Sequence, residues 1–312
     1  MANITAKDVA DLRAKTGLGM MDCKKALVEA DGDVEAAIKI LREKGLATAA
    51  KKESRIAAEG VVDIMVDGKN AAMIEVNAET DFVAKNATFQ EFVKGLLRTL
   101  LANKPANLEA FNACKFDGSD NTVADTLVEK IAMIGEKISI RRFILAEGVM
   151  STYIHGAGNT GVIVVLDTDD ATAAKAEFVE CAKNVALQIA AGSPPAYVAK
   201  EDVPQSAIDE EVAIQVAAAK NDPKLANKPD AVLSKIIEGK LGKLFFERVC
   251  LLEQPYVKDD SMSVGKYVAS CAKALGADIA VKAFYIFEKG EGIEKREDNF
   301  AEEIAKLTGG AQ

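Results

Sequence analysis

The chain has 312 residues, of which 49% are hydrophobic, 28% are charged and 5% are aromatic, and its net charge at pH 7 is −9. This length predicts two or three packed modules, and the hydrophobic content excludes a chain that is disordered throughout. An acidic chain repels phosphate backbones, so we expect no direct contact with nucleic acid.

The cysteines and the amino-terminal sequence indicate the compartment. Five cysteines, an odd number, are scattered along the chain without a C-x-x-C pair, which is typical of reduced thiols in a cytosol. The amino terminus lacks the apolar stretch of a secretory signal, and no apolar run approaches the roughly 20 residues of a membrane span. We therefore expect a cytoplasmic protein without a membrane partner.

Residues 1–45 predict three short amphipathic helices. Thr5 and Asp33 can cap the first and third helices, and Gly17 and Gly45 are predicted to end them. A three-helix module of this size is ubiquitin-associated-like, and such modules bind protein surfaces.

Beyond residue 60 the sequence predicts an α+β fold with two similar halves. "GVVDIMV" and "AAMIEVNAE" alternate as strands around the turn "DGKN", and a helix follows with Thr88 as its candidate cap. Near the end, "ALGADIAVKAFYIFEKGEG" repeats the helix–Gly–strand pattern of "MIGEKISIRRFILAEG". We therefore expect two core subdomains with antiparallel sheets.

Two amphipathic segments around a Pro-containing turn predict an inserted antiparallel helical hairpin in the second half. A further helical pattern at the end places Phe300, Ile304 and Leu307 on one face. The predicted domains are the three-helix module 1–45, a linker 46–59, a core subdomain 60–148, a second core subdomain 149–288 with the hairpin at about 206–252, and a carboxy-terminal helical module 289–312.

The sequence shows no constellation typical of catalysis. His155 is the only histidine, which excludes metal schemes built on two histidines and favours a structural role. "GAGNTG" (156–161) matches G-x-G-x-x-G, but a strand rather than a helix follows it, so a glycine-rich turn is favoured. The acidic cluster at 167–170 is typical of a solvated turn, although a weak cation site remained an alternative. These observations favour a binding protein over an enzyme.

The segment "ETDFVAKN" (79–86) leaves two interpretations open. Thr80 can cap a helix that begins at Asp81, with Phe82 anchoring that helix in the core. Alternatively, Phe82 is displayed at the helix start to enter a pocket of a partner. The sequence pattern does not decide between them, although the core interpretation is the more common one.

Five motifs resemble the bacterial elongation factor Ts family. They lie in order along nearly the whole chain: "LRAKTGLGMMDCKKAL" (12–27), "EVNAETDFVAKN" (75–86), "MIGEKISIRR" (133–142), "YIHGAGNTGV" (153–162) and "FEKGEGIEKRE" (287–297). The resemblance implies a guanine-nucleotide exchange factor for elongation factor Tu that needs no cofactor and makes or breaks no bond. It also implies the architecture predicted above.

The resemblance further implies a site that disturbs the Mg²⁺ of the partner. In the family the T-D-F-V segment inserts beside that ion, and here the segment is Thr80, Asp81, Phe82 and Val83. Phe82 would enter between partner helices and Asp81 would support the displaced geometry. The GDP phosphates would then lose their cradle, and GTP would fill the emptied site.

Other contacts with the partner are implied by position in the motifs: Leu12, Met20, Met21 and Lys24 in the amino-terminal module, Ile134 and Gly135 in the first core subdomain, and His155 in the second. For the four residues of the module, packing within the module is the alternative. For His155 the resemblance replaces the structural role with a partner contact. In some relatives the helical insertion mediates self-association, so this is expected as a further property of the hairpin.

Two other functions remain alternatives from different classes. One is an adaptor whose three-helix module recruits a different protein. The other is an enzyme that binds a dinucleotide through "GAGNTG".

Overall fold

The computed structural model describes residues 4–222, 225 and 228–294 of the chain. These residues fold as an α+β protein that forms two compact units. Among them, the first unit comprises 4–61, 74–143 and 289–294, and the second comprises 62–73 and 144–288.

The first unit begins with three helices, as predicted: α1 (Ala6–Thr16), α2 (Met20–Glu29) and α3 (Val34–Lys52). The Thr5 and Asp8 side chains form a reciprocal capping box at the start of α1, and Gly17 ends that helix with φ of 67°. Asp33 caps α3 by accepting hydrogen bonds from two backbone amides. Buried side chains of all three helices form the core of the module.

Gly45 does not end the third helix, and that prediction is wrong. It lies inside α3, which continues to Lys52. A Cβ atom built at Gly45 would lie 3.4 Å from the side chain of Val128 and 3.7 Å from that of Ala132. Both distances are ordinary van der Waals contacts, so α7 packs against α3 at this position without requiring a glycine. This tertiary packing outweighs the low helix propensity of glycine, and α3 continues through the residue.

The rest of the first unit follows the predicted order of strands and helices. The elements of this region are β1 (Glu59–Asp67), β2 (Asn70–Ala78), α4 (Asp81–Ala84), α5 (Ala87–Asn103), α6 (Leu108–Ala113), α7 (Val123–Ile134) and β3 (Ile138–Glu147). Each of the three strands also contains residues that are assigned to the second unit. The three strands form a sheet in the order β1-β2-β3. Thr88 is not the cap of α5. The cap is Asn86, whose side-chain oxygen accepts a hydrogen bond from the Thr88 amide at 2.8 Å.

The second unit has its own three-stranded antiparallel sheet in the order β4-β5-β8. Its elements outside the insertion are β4 (Val149–His155), β5 (Thr160–Asp167), α8 (Asp170–Ala173), α9 (Ala176–Ala191), β6 (Pro255–Tyr256), β7 (Asp259–Ser263), α13 (Val264–Leu275) and β8 (Ala280–Glu288). Side chains of β5, α9 and α13 fill its main core. The predicted echo is present, since left-handed Gly135 follows α7 and left-handed Gly276 follows α13, each before a strand.

The insertion consists of α10 (Gln205–Asn221) and α11 (Asp230–Lys240), which contact each other. A π-helical segment (Leu241–Phe246) and the short α12 (Glu247–Val249) follow α11. The predicted carboxy-terminal helix, with Phe300, Ile304 and Leu307, lies outside the residues that the structure describes.

Candidate functional site

The T-D-F-V segment forms the short helix α4, and Thr80 caps it. The Thr80 hydroxyl accepts a hydrogen bond from the Val83 amide at 3.4 Å. Successive residues of a helix point about 100° apart, so Val83 can face the core while its neighbour faces outward. Val83 is 8% exposed and Phe82 is 81% exposed. The interpretation of Phe82 as a core anchor is therefore wrong.

Asp81 lies beside this ring and carries an ion pair. Its carboxylate accepts a hydrogen bond from Lys85 Nζ at 2.6 Å, one helical turn away. This hydrogen bond holds the pKa of Asp81 below its usual range, and the positive charge of Lys85 adds to the effect. Asp81 is an anion at neutral pH, placed next to an exposed aromatic ring.

The turn between α7 and β3 lies against the start of α4. Ile134 is half-buried at the end of α7, and Gly135 is exposed with φ of 84°. The next residue, Glu136, accepts a hydrogen bond from the Thr80 amide at 3.0 Å and another from its hydroxyl at 2.8 Å. The structure thus brings the predicted residues Ile134 and Gly135 into the neighbourhood of the T-D-F-V segment.

The four predicted residues of the three-helix module differ in exposure. Met20 and Met21 are 51% and 62% exposed at the start of α2, and Lys24 is also exposed. Leu12 is 1% exposed and belongs to the module core, so the packing alternative describes its side chain. Of the four predicted residues, only Met20, Met21 and Lys24 are exposed and can contact a partner.

The module contacts α7 at two glycines and is anchored at the end of α3. A Cβ atom built at Gly17 would lie 2.3 Å from Met133 in the last turn of α7, so the loop before α2 packs closely there. Lys52 Nζ donates a hydrogen bond to the carbonyl of Gly135. These contacts place the module against α7, which ends at Ile134 and is followed by Gly135.

His155 lies in the second unit, as the last residue of β4. Its ring is exposed, and Nδ1 lies 3.2 Å from the Tyr153 hydroxyl. Within the segment 156–161 that follows, residues 156–159 form the turn between β4 and β5, as predicted, and the last two residues begin β5. Gly158 accepts a hydrogen bond there from the amide of Val62 at 2.8 Å. A hairpin turn without a helix behind it is not a dinucleotide-binding loop.

The acidic residues provide no metal site in the part of the chain that the structure describes, where no group of three His, Cys, Asp or Glu side chains converges. In the cluster at 167–170, Asp169 caps α8 and Asp170 pairs with Lys69 at 2.5 Å. Within 4–222, 225 and 228–294, no helix combines the length and the apolar character that a membrane crossing requires.

Sequence reasoning missed three acidic residues that hold the first unit together around the site. At the start of α4, the Glu136 carboxylate accepts a hydrogen bond from the Thr80 amide, and the Glu79 carboxylate accepts one from the Lys137 amide. Glu75 is fully buried on β2 between Arg141 and Arg142. Each contact joins residues more than 50 positions apart in the sequence, so hydrophobic periodicity cannot predict these contacts. The only available signal was that all three glutamates lie inside the motifs that resemble the family.

An exposed aromatic ring on an ordered helix start, together with exposed methionines on a small helical module, is typical of a protein that binds another protein. Comparison with known sequences defines the family. The family model described as "Elongation factor TS" matches residues 79–291. The chain is 46% identical to the elongation factor Ts of Syntrophotalea carbinolica over 308 residues, covering 98% of this chain and 99% of that protein. It is 45% identical to the elongation factor Ts of Clostridium kluyveri, covering 97% and 98%, and 45% identical to that of Clostridium perfringens, covering 98% and 99%.

This chain belongs to the elongation factor Ts family. The family consists of nucleotide-exchange factors for elongation factor Tu, which are not catalysts of bond chemistry. The recognition made from the five motifs is therefore confirmed.

Proposed function

We propose that this protein binds GDP-bound elongation factor Tu and releases the nucleotide by inserting Phe82 beside the Mg²⁺ and phosphate site of the partner. The single observation that carries the proposal is the 81% exposure of Phe82 on a helix whose next residue is 8% exposed. Because the backbone that carries the exposed ring is already ordered, binding loses less conformational entropy when the ring enters a pocket.

The charged neighbour of the ring gives the insertion a second component. Asp81 is ionised at neutral pH, as an ordinary aspartate is, and the hydrogen bond from Lys85 lowers its pKa further. A carboxylate brought near a bound cation competes with the cation's own oxygen ligands. We infer that Phe82 separates the partner elements while Asp81 stabilises the displaced arrangement around the ion.

Exchange then follows from binding energy alone. If this protein weakens GDP binding by some factor, GDP weakens the binding of this protein by the same factor. Each ~1.4 kcal/mol removed from the barrier to nucleotide departure speeds release about tenfold. GTP rebinds the empty site and expels the exchange factor by the same reciprocal coupling, so no cofactor is needed.

Docking on the partner uses further surfaces of both units. Met20 and Met21 offer flexible apolar side chains, which adapt to a partner surface, and Lys24 adds a positive charge beside them. In the second unit, the exposed imidazole of His155 is the proposed contact. The protein acts in the cytoplasm, where its partner works, and contacts neither nucleic acid nor membrane in this proposal.

Self-association through the helical insertion is a separate proposal. Its support is the exposure of Ile214 on α10 and of Val232 on α11, at 54% and 41%. Sedimentation of the full chain, compared with a variant carrying Ile214→Lys and Val232→Lys, tests it. A wild-type chain that remains monomeric across the micromolar range would contradict it.

The direct test of function is release of fluorescent GDP from elongation factor Tu after an excess of unlabelled GDP is added. We expect a sub-stoichiometric amount of this protein to accelerate release and to act through many turnovers. The adaptor alternative predicts binding without acceleration, and an unchanged release rate would refute the exchange function.

A further inference from the structure

The start of α4 is held by a carboxylate that belongs to neither the helix nor the T-D-F-V motif. Glu136 Oε2 accepts from the Thr80 amide at 3.0 Å, and Glu136 Oε1 accepts from the Thr80 hydroxyl at 2.8 Å. A bidentate contact fixes direction as well as distance, and hydrogen bonds to an ionised acceptor are the stronger ones. Thr80 therefore caps α4 and also donates the two hydrogen bonds that attach the start of this helix to Glu136.

A second glutamate makes the opposite contact. Glu79 Oε1 accepts from the Lys137 amide at 2.5 Å, and the Glu79 carboxylate lies 3.2 Å from Arg55 Nη1. Glu79 precedes Thr80 and Lys137 follows Glu136, so each segment offers a side-chain carboxylate to the backbone of the other. The Glu79 side chain is only 19% exposed, which protects these contacts from water.

We propose that Glu79 and Glu136 form a reciprocal clasp that aims Phe82, and that Glu136 is a positioning residue for nucleotide exchange. The functional part of this inference rests on the exchange function proposed above. A helix of four residues has little stability of its own, because it forms too few hydrogen bonds to offset the conformational entropy lost in its first turn. The clasp supplies the missing order, so the ring meets the partner already oriented.

The clasp also joins the ring to the three-helix module. Lys137 Nζ donates to the carbonyls of Glu53 and Arg55, just beyond the end of α3, at 2.6 and 2.8 Å. Lys52, the last residue of α3, donates to the carbonyl of Gly135. The turn 135–137 therefore forms hydrogen bonds both with the end of the three-helix module and with the start of the helix that carries Phe82.

The test combines a measurement on the protein alone with a double-mutant cycle. Amide hydrogen exchange of Thr80 is measured in the wild type, Glu136→Ala and Glu136→Gln, with thermal unfolding to confirm folding. We expect Glu136→Ala to raise the Thr80 exchange rate at least about tenfold, and Glu136→Gln to raise it less, because the amide oxygen still accepts one hydrogen bond. Glu91→Ala, which removes an exposed carboxylate of the same unit paired with Arg98, is the matched control and leaves Thr80 unchanged.

Fluorescent GDP release is then measured for Glu136→Ala, Phe82→Ala and the double variant. If Glu136 acts by aiming Phe82, its substitution slows wild-type exchange several-fold and has no further effect once the ring is absent. Additive losses, or a Thr80 exchange rate that Glu136→Ala leaves unchanged, would overturn the clasp as a positioning device. A wild-type chain that fails to accelerate GDP release would refute the exchange function, whereas the amide measurement still decides whether the clasp orders α4.

Discussion

Glu75 and Arg142 form a buried ion pair on neighbouring strands, with the Glu75 carboxylate 2.7 Å from Arg142 Nε. The other oxygen of Glu75 lies 2.9 Å from Arg141 Nη1 and accepts from the Gly290 amide at 2.8 Å. Arg142 also pairs with Glu291 at 2.9 Å. One buried carboxylate thus joins β2 and β3 to the segment that follows β8.

Replacing Glu75 with Ala should strongly destabilise the first unit. The substitution leaves two half-buried guanidinium groups and a buried amide without their acceptor, so we expect a loss of about 3–5 kcal/mol in the free energy of unfolding. Chemical denaturation measures it. Glu29→Ala is the control, because its pair with Lys44 is more than half exposed on both sides and should cost about 1 kcal/mol or less. Equal losses for the two variants would contradict the buried anchor.

The same carboxylate makes stability depend on pH. Burial would raise the pKa of Glu75, but hydrogen bonds from Gly290, Arg141, Asn77 and Arg142 outweigh it and hold the pKa below the usual 4.5. The contribution of a depressed carboxyl is fully present above its unfolded pKa and is lost as the pH falls through its folded pKa.

We therefore expect the difference in unfolding free energy between the wild type and Glu75→Gln to be constant from about pH 6 to 8. It should shrink as the pH falls through about 4.5, where the carboxyl of the unfolded chain is half protonated while that of the folded chain is still ionised. Denaturation curves at a series of pH values measure the difference. A difference that grows on acidification would show that the Glu75 carboxyl is neutral in the folded protein.

One substitution, Gly→Ala, should have opposite effects at two positions. At Gly45, inside α3, the added methyl meets Val128 at an ordinary 3.4 Å, and alanine favours the helix by about 0.5–1 kcal/mol. At Gly17 the backbone has φ of 67°, a left-handed conformation that costs an alanine about 1–2 kcal/mol, and the added methyl would also displace the flexible end of the Met133 side chain. Thermal unfolding of both variants checks the signs, and a stabilised Gly17→Ala would contradict the left-handed conformation of Gly17.

Much of the fold could be predicted because its local signals agree with the structure. Thr5 and Gly17 bound α1 as expected, and the helix–Gly–strand echo correctly located Gly135 and Gly276. The errors arose where tertiary contacts or a neighbouring residue decide. Gly45 lies within a helix because α7 packs on α3, and Asn86, two residues before the expected cap Thr88, caps α5.

The candidate site could be predicted only in part. The motif located Thr80, Asp81, Phe82 and Val83, but the pattern "ETDFV" is compatible with a buried or a displayed ring, because a four-residue helix has no periodicity to read. Which side of α4 faces the core is decided by elements distant in the chain. The contacts of Glu136 with Thr80 span 56 residues, and no local signal reports them.

The most direct test of the account is Phe82→Ala, with the free energy of unfolding and the rate of GDP release from elongation factor Tu measured on the same preparation. Phe89→Ala is the matched control, because Phe89 is a phenylalanine of the same unit with 0% exposure. We predict that Phe82→Ala changes stability by less than about 0.5 kcal/mol and slows stimulated release at least about tenfold, whereas Phe89→Ala costs about 3–5 kcal/mol. Full stimulation of GDP release by a stable Phe82→Ala protein would contradict the central claim.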